Sequence, residues 1–480
     1  MTKNNEINQI TEGVIWKQLL IFFFPILIGT FFQQLYNTVD AVIVGRFVGK
    51  EALSAVGGST SSLINLIVGF FVGVSTGATV IISQHYGAKN KKGVSDSIGT
   101  AIALSVAGGL FLMCFCIFFA KQVLVWMDTP ADTLSQSVLY MQIYALGLVP
   151  ELIYNMGSGI LRAMGDSKRP LYFLIASCVA NIVLDLLFVI VGHMGVAGVA
   201  TATMLSQYIS AAMVLYVLNR RLGEYSLKRG SILFRREYLD PMIRIGLPGG
   251  IQSMTYALSN ILIQSAINSF GTDTVAAWAA YAKIDGIFWM VMNALGVAIT
   301  TFAGQNFGAG KKERIRKSVR ICLGMAAVIA AGMSCFVVGC AAVLLSIFTK
   351  DAAVIEVGVR MIGIISPTYI TYVCIEILSG VSRGCGKVVV PTIMSIVGVC
   401  GLRILWIFCA VPYHRTVEMI CSRYLSDIFS FLAISFKLIG SPVLFNARST
   451  ISLNAYLPFV DIFIALTSFL TSGLIISAYS

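Results

Sequence analysis

Five carboxylates interrupt stretches of chain that are otherwise almost free of charge: Asp40, Glu151 and Asp185 in the first half, Asp285 and Glu376 in the second. A charge inside a bilayer is costly, so each needs a partner or a task. Depth separates them. At about 1.5 Å per helical residue, Asp40 lies about 7 Å inside the outer end of the first apolar stretch. Asp185 lies about 10 Å inside the outer end of the fifth, and Thr203, on the sixth, about 12 Å from the same surface. Asn181 is one turn deeper than Asp185, on the same helix face at i and i+4. Two carboxylates, an amide and a hydroxyl therefore share one layer. Oxygen ligands of this kind suit a small hard cation such as Na⁺. Two close carboxylates resist being ionised together, which suits proton uptake. The same layer could also be a polar cluster that only locks helices together.

The other polar residues carry open readings. Glu151, beside Pro150 near mid-membrane, is a second relay, a substrate contact or a neutral group bonded to a neighbouring helix. Asp285 is expected to pair with Lys283 or with a residue near the cytoplasm, and Arg403 to pair with an acid or snorkel. Glu376 has no assigned partner, and His85 reads as interfacial. Tyr36, Asn37, Tyr144, Tyr154, Phe288 and Trp289 could line a cavity for flat organic cations, although aromatics at helical spacing are commonly packing. Three histidines, no CxxC pair, no HExxH and no nucleophile–base pair argue against a metal centre or an enzyme. No GxxxxGK[ST] loop is present, so ATP is not expected to drive the protein directly. No cofactor is expected beyond a coupling ion, Na⁺ or H⁺.

The elements that must position these residues follow from composition. Of 480 residues, 57% are hydrophobic and 12% charged, with mean hydropathy +0.85. Soluble domains carry about 25% charged residues, so the chain reads as an integral membrane protein. A spanning helix needs about 20 apolar residues. Spans are expected near 15–44, 54–84, 97–120, 133–160, 171–191 and 195–218, then 243–269, 275–304, 319–348, 354–380, 389–411 and one beginning near 417. Continuous rather than alternating apolarity selects helices over barrel strands. One set of loops, from Lys89–Lys92 to Arg383 and Lys387, holds 21 Lys and Arg; the alternate loops hold 5. That bias places the first set and the N-terminus in the cytoplasm. It also explains the net charge of +12 without nucleic acid. Pro25 and Pro248 hold similar places in the two halves. Together with Pro150 and Pro367, also inside spans, each could be a static bend or a hinge, Pro25 being the hinge candidate.

The chain repeats itself. Gln84-His85-Tyr86-Gly87-Ala88 recurs as Gln305-Asn306-Phe307-Gly308-Ala309, Gly159-Ile160-Leu161-Arg162 as Gly380-Val381-Ser382-Arg383, and Pro170 as Pro391, always 221 residues apart. Long apolar segments in two repeated halves are the plan of a transporter that rocks one bundle against the other. The expected fold is all-α, about twelve transmembrane helices in two six-helix bundles. The divisions are an N-terminal lobe 1–218, a basic linker 219–242, a C-terminal lobe 243–440 and a divergent apolar segment 441–480. Met1 to Gln9 is polar, and no cleavable signal peptide is expected.

The stretch from Pro25 to Gly49, with Gln33-Gln34-Leu35-Tyr36-Asn37-Thr38-Val39-Asp40, resembles the multidrug and toxic compound extrusion (MATE) family. So do Ala52 to Gly57, Gln84 to Ala88, Gly159 to Gly165 with Pro170, and Gly195 to Ala200. The likeness covers roughly residues 11 to 411. It implies cation-coupled export of drugs, often cationic, with Asp40 as the coupling residue. It further implies an N-lobe cation site at Asn181, Asp185 and Thr203, the residues the depth argument reached on its own. No acid stands between Arg244 and Phe270, where the NorM-like branch has one, so the resemblance is to the DinF-like branch. The stretch after Cys421 departs from the family and reads as an extra helix or a terminus altered by a change of reading frame. The expected setting is a bacterial inner membrane, with small organic substrates and lipids as partners and a monomer as the working unit. The alternative is a related flippase for lipid-linked oligosaccharides, which would need several cationic residues in its cavity.

Overall fold

The structure, a computed structural model, describes residues 9–227 and 232–409. In lipid every backbone N–H and C=O must be satisfied within the protein, and the apolar runs accordingly form helices; no strand occurs among the described residues. A single turn, Gln9–Glu12, precedes the first long helix. The first repeat comprises α1 (Ile15–Val48), α2 (Lys50–Gly87), α3 (Lys91–Trp126), α4 (Ala131–Ala145 and Leu148–Ala163), α5 (Lys168–Val191) and α6 (Gly195–Arg220). The second comprises α7 (Arg236–Asn268), then α8 (Thr272–Gly308), α9 (Lys312–Gly339), α10 (Ala352–Gly384) and α11 (Val389–Cys409). Nine of these are long and apolar enough to cross a membrane, and bent α4 makes a tenth. α7 is 33 residues long but less apolar, because Gln252, Ser253, Asn260 and Gln264 line a cavity rather than facing lipid. The expected twelfth span, the segment 441–480 and the central part of the linker lie outside the described residues.

Most helices overrun the expected spans at the end that carries the basic loops. α2 continues to Gly87 and α8 to Gly308, so the repeated Gln-x-x-Gly motifs are helical rather than loop. The span expected at 133–160 is two helices that meet at 51°. Gly147 precedes the second, and Pro150 is its third residue. A first-turn proline forfeits no intrahelical hydrogen bond. α9 gives way at Cys340 to a short helix, Ala341–Ser346, and α10 tightens to a 3₁₀ turn at Ser366–Thr368, around Pro367. Pro25, Pro241 and Pro248 all lie inside unbroken helices. π-helical turns follow Ile43 in α1 and Asp185 in α5.

Contacts of several kinds join the halves. α2 and α7 cross at glycines: a Cβ on Gly73 would come within 2.6 Å of the Gly250 Cα, and one on Gly77 within 2.6 Å of the Gly246 nitrogen. Only glycine permits that approach. α1 belongs to both cores. Leu19, Phe22 and Phe23 pack into the cluster built by α8, α9 and α10, whereas Ile43 and Val44 pack with α4, α5 and α6. Around the outside, Phe111, Phe118 and Phe336 stand exposed, as side chains facing acyl chains should.

Candidate functional site

A cavity of ≈ 380 Å³ opens within the first repeat. Of the cavity residues expected from sequence, Tyr36, Asn37, Tyr144, Glu151 and Tyr154 line it, together with Asp40; Trp289 lines the other cavity and Phe288 neither. On α1, Tyr36 and Asp40 are one turn apart and share a face. The Tyr36 hydroxyl donates to Thr203 Oγ1 on α6 at 3.3 Å. Asp40 has Asp185 and Tyr36 as side-chain neighbours, so the two carboxyls meet between α1 and α5. Asp40, Asn181, Asp185 and Thr203 are all buried, Asn181 and Asp185 completely. Asp40 Oδ1, both Asp185 carboxyl oxygens and both polar atoms of Asn181 make no hydrogen bond with another protein group. Buried polar atoms are nearly always paired, and here five unpaired ones fall on Asp40 and on Asn181 and Asp185, which share a face of α5. The four oxygens among them fit a small hard cation or a proton. No group of three His, Cys, Asp or Glu that could hold a metal ion occurs among the described residues.

Glu151 is held from two directions. Tyr144 Oη donates to Glu151 Oε2 at 2.9 Å and Gln207 Nε2 donates to the same oxygen at 3.2 Å. It is thus bonded to a neighbouring helix while still lining the cavity.

A larger cavity, ≈ 690 Å³, is lined by α2, α4, α7, α8, α10 and α11. Here the expectation for Asp285 fails. Lys283 is not its partner: residues two apart on a helix point to different sides. Tyr369 Oη donates to Asp285 Oδ1 at 2.7 Å and Trp289 Nε1 to Oδ2 at 2.7 Å. Phe288 stacks on Tyr369 at 3.8 Å, and Trp289 meets Tyr372 edge-on at 4.5 Å. Arg162 and Arg383, which the charge count treats as loop cations, also line this cavity. Arg383 pairs with Glu376 at 2.8 Å. Arg403 is buried and lines the cavity as well, so it does not snorkel. The larger cavity therefore holds both signs of charge. His85 is half-buried near the basic end, its ring 5.5 Å from that of Tyr238.

The MatE family model matches residues 25–187 and 248–408, one stretch in each repeat. The chain belongs to the MatE family. Among curated MatE relatives, "Probable multidrug resistance protein YpnP" of Bacillus subtilis is 32% identical over 306 residues, 64% of this chain and 68% of the relative. "Probable multidrug resistance protein YoeA" of the same organism is 27% identical over 398 residues, 81% of this chain and 86% of the relative. A solved structure, "Crystal structure of MATE in the bent conformation", superposes with TM-score 0.83 at 21% identity, covering 91% of this chain and 98% of that one. An outward-facing MATE transporter structure gives TM-score 0.81 at 20% identity, covering 91% and 97%. The chain is therefore a multi-pass membrane protein with the fold of MATE transporters.

Within this MatE chain, sequence reasoning did not find Tyr140 and Gln207, which line the smaller cavity, nor Tyr369. The two tyrosines 140 and 144, one turn apart and ring-stacked, were visible as a pair by spacing. Arg162 and Arg383 were visible as equivalents in the repeat. Nothing local marks Tyr369, 84 residues from its partner.

Proposed function

We propose that this transporter exports small organic compounds, cationic ones among them, by antiport against an inward flow of Na⁺ or H⁺. The observation that carries the reading is the gathering of unpartnered buried atoms on Asp40, Asn181 and Asp185 beside a cavity lined by Tyr36, Asn37, Tyr154 and Glu151. Two facing carboxylates repel, and a cation or proton between them removes the repulsion. Thr203, hydrogen-bonded to Tyr36, ties that event to the cavity wall. Binding would draw the outer half of α1 toward α5 and α6, bending at Pro25, and so shrink the cavity. An absence of acids between Arg244 and Phe270 supports coupling in the first repeat and a place in the DinF-like branch. The proposed setting is a bacterial inner membrane, with the basic loops and N-terminus in the cytoplasm and a monomer as the working unit.

The test is efflux of a fluorescent cationic dye from proteoliposomes under imposed Na⁺ and pH gradients. Wild type should export dye under one gradient, and Asp40→Asn should lose that dependence. Uphill export by Asp40→Asn would sink the proposal. A second reading, movement of an amphiphile with an anionic head, draws support from Arg162, Arg383 and Arg403 in the larger cavity. Dye export absent under every gradient, with scrambling of an anionic lipid present, would favour it.

A further inference from the structure

The repeated motifs meet each other. Gln84 Nε2, on α2, donates to the Gly384 carbonyl at the end of α10, at 2.8 Å. Gln305 Nε2, on α8, donates to the Ala163 carbonyl at the end of α4, at 2.7 Å. Gln84 and Gln305 are 221 residues apart, and so are Ala163 and Gly384. The two hydrogen bonds are therefore one bond made twice, each repeat reaching into the other. The backbones support the exchange in the same reciprocal way. A Cβ on Gly87 would come within 2.7 Å of the Gln305 carbonyl carbon, and one on Gly308 within 2.6 Å of the Gln84 carbonyl carbon. Ser83 faces its own equivalent, Gly304: a Cβ there would sit 2.9 Å from the Ser83 Cβ. A pseudo-two-fold axis along the membrane normal thus passes between α2 and α8 at their basic ends, as expected for parallel repeats.

The contact closes something. Thr79 and Thr301 line the larger cavity about one helical turn from Gln84 and Gln305, and so do Arg162 and Arg383, each the residue before the carbonyl that accepts the bond. No residue from Gln84 to Ala88 or from Gln305 to Ala309 lines either cavity. Each glutamine amide also satisfies a helix-terminal carbonyl, one of the groups a helix cannot pair by itself. Parting the repeats here would strip both carbonyls and both amides of partners at once.

We propose that Gln84 and Gln305 form a reciprocal latch that holds the basic ends of the two repeats shut, and that passage to the state open on the basic face requires both hydrogen bonds to break together. The latch explains why a glutamine and a glycine three residues later recur at the same offset. The glutamine reaches across, and the glycine lets the partner's backbone come close enough to be reached.

The test labels a cysteine placed at the axis. Ser83 is fully buried, so Ser83→Cys should react slowly with a hydrophilic maleimide, the modified site being mapped by peptide mass spectrometry. Adding the near-isosteric Gln84→Met or Gln305→Met should each raise the labelling rate about fivefold, the effect of roughly one lost hydrogen bond, and both together should raise it further. Equal effects of the two single changes are required by the equivalence. Unchanged protection in the double variant, or an effect of only one glutamine, overturns the latch. Pulsed electron-spin distances between labels at Lys89 and Lys312, both exposed, give a second reading that leaves Ser83 intact. The double methionine variant should add a longer distance, and an identical distribution refutes the proposal. Both measurements work without cargo, so failure of dye export and failure of the latch remain distinguishable.

Discussion

Gly77→Ala tests the crossing of α2 and α7 most sharply, because α2 carries its own control. On a helix, alanine in place of glycine is favourable by about 1 kcal/mol. Gly69→Ala should show that gain, since its new Cβ would find only the Ser253 Cβ, at 3.9 Å, an ordinary contact. Gly77→Ala gains the same propensity but drives a Cβ to within 2.6 Å of the Gly246 nitrogen, against 3.4 Å for an ordinary contact. The Met242 carbonyl oxygen is nearer still; both are helix backbone, with no flexible side chain to swing aside, so the two helices must move apart by more than an ångström. Overpacking a rigid contact costs about 1–3 kcal/mol, and the upper end applies where nothing can yield. The net expectation is a loss of about 2 kcal/mol for Gly77→Ala and a gain of up to about 1 kcal/mol for Gly69→Ala. Thermal unfolding of the detergent-solubilised protein, followed by loss of the monodisperse chromatographic peak, reads the difference. If Gly77→Ala melts with Gly69→Ala or above it, the backbone-to-backbone crossing described here is wrong.

Glu376→Gln should destabilise by about 2 kcal/mol. It strands the Arg383 charge, and the usual cost of breaking a buried pair is reduced because both side chains keep some exposure to the cavity, 20% and 16%. Adding Arg383→Met should recover part of the loss, and a double-mutant cycle of melting temperatures checks it. Arg314→Ala removes hydrogen bonds to the Ile10 and Gly13 carbonyls, and should raise the rate of proteolysis at the N-terminal turn about thirtyfold, for roughly 2 kcal/mol. Tyr369→Phe keeps the stack on Phe288 and removes one of the donors to Asp285. The expected cost is about 1–2 kcal/mol, for a hydrogen bond to a buried carboxyl, again read as a shift in melting.

The helices were legible because lipid leaves the backbone only one way to satisfy itself over twenty apolar residues, and the lengths of the apolar runs did the rest. The layer of Asp40, Asn181, Asp185 and Thr203 was legible for a related reason: in straight spans, counting residues measures depth, and residues of equal depth on neighbouring helices can meet. The same counting fails where depth is not the question. Asp285 was read against Lys283, its neighbour in sequence, while its partners lie one turn away at Trp289 and 84 residues away at Tyr369. Arg162 and Arg383 stand in the last turns of α4 and α10. A tally of loop cations cannot separate a last turn that faces inward from the loop that follows it. Pro150 marked the fourth span as one that could bend, but the full break, at Gly147 and with Pro150 in the first turn of a new helix, was not legible, because both residue types also occur in membrane helices without breaking them. The reciprocal contact of Gln84 and Gln305 escaped because a repeat reveals equivalence, and equivalence does not say that the copies touch.

The sharing of α1 between two cores has a mechanical consequence. Its foot, from Ile15 to Phe23, is set among α8, α9 and α10, and Arg314 grips the turn before it through the Ile10 and Gly13 carbonyls. Its tip, at Ile43 and Val44, is set in the opposite lobe, and Pro25 lies between. α1 is thus a tie rod spanning the seam. The lobes cannot swing as two independent bodies, because any rotation that separates foot from tip must be taken up within a single helix. A load applied at Asp40, near the tip, is felt at the foot, in a lobe that Asp40 never touches.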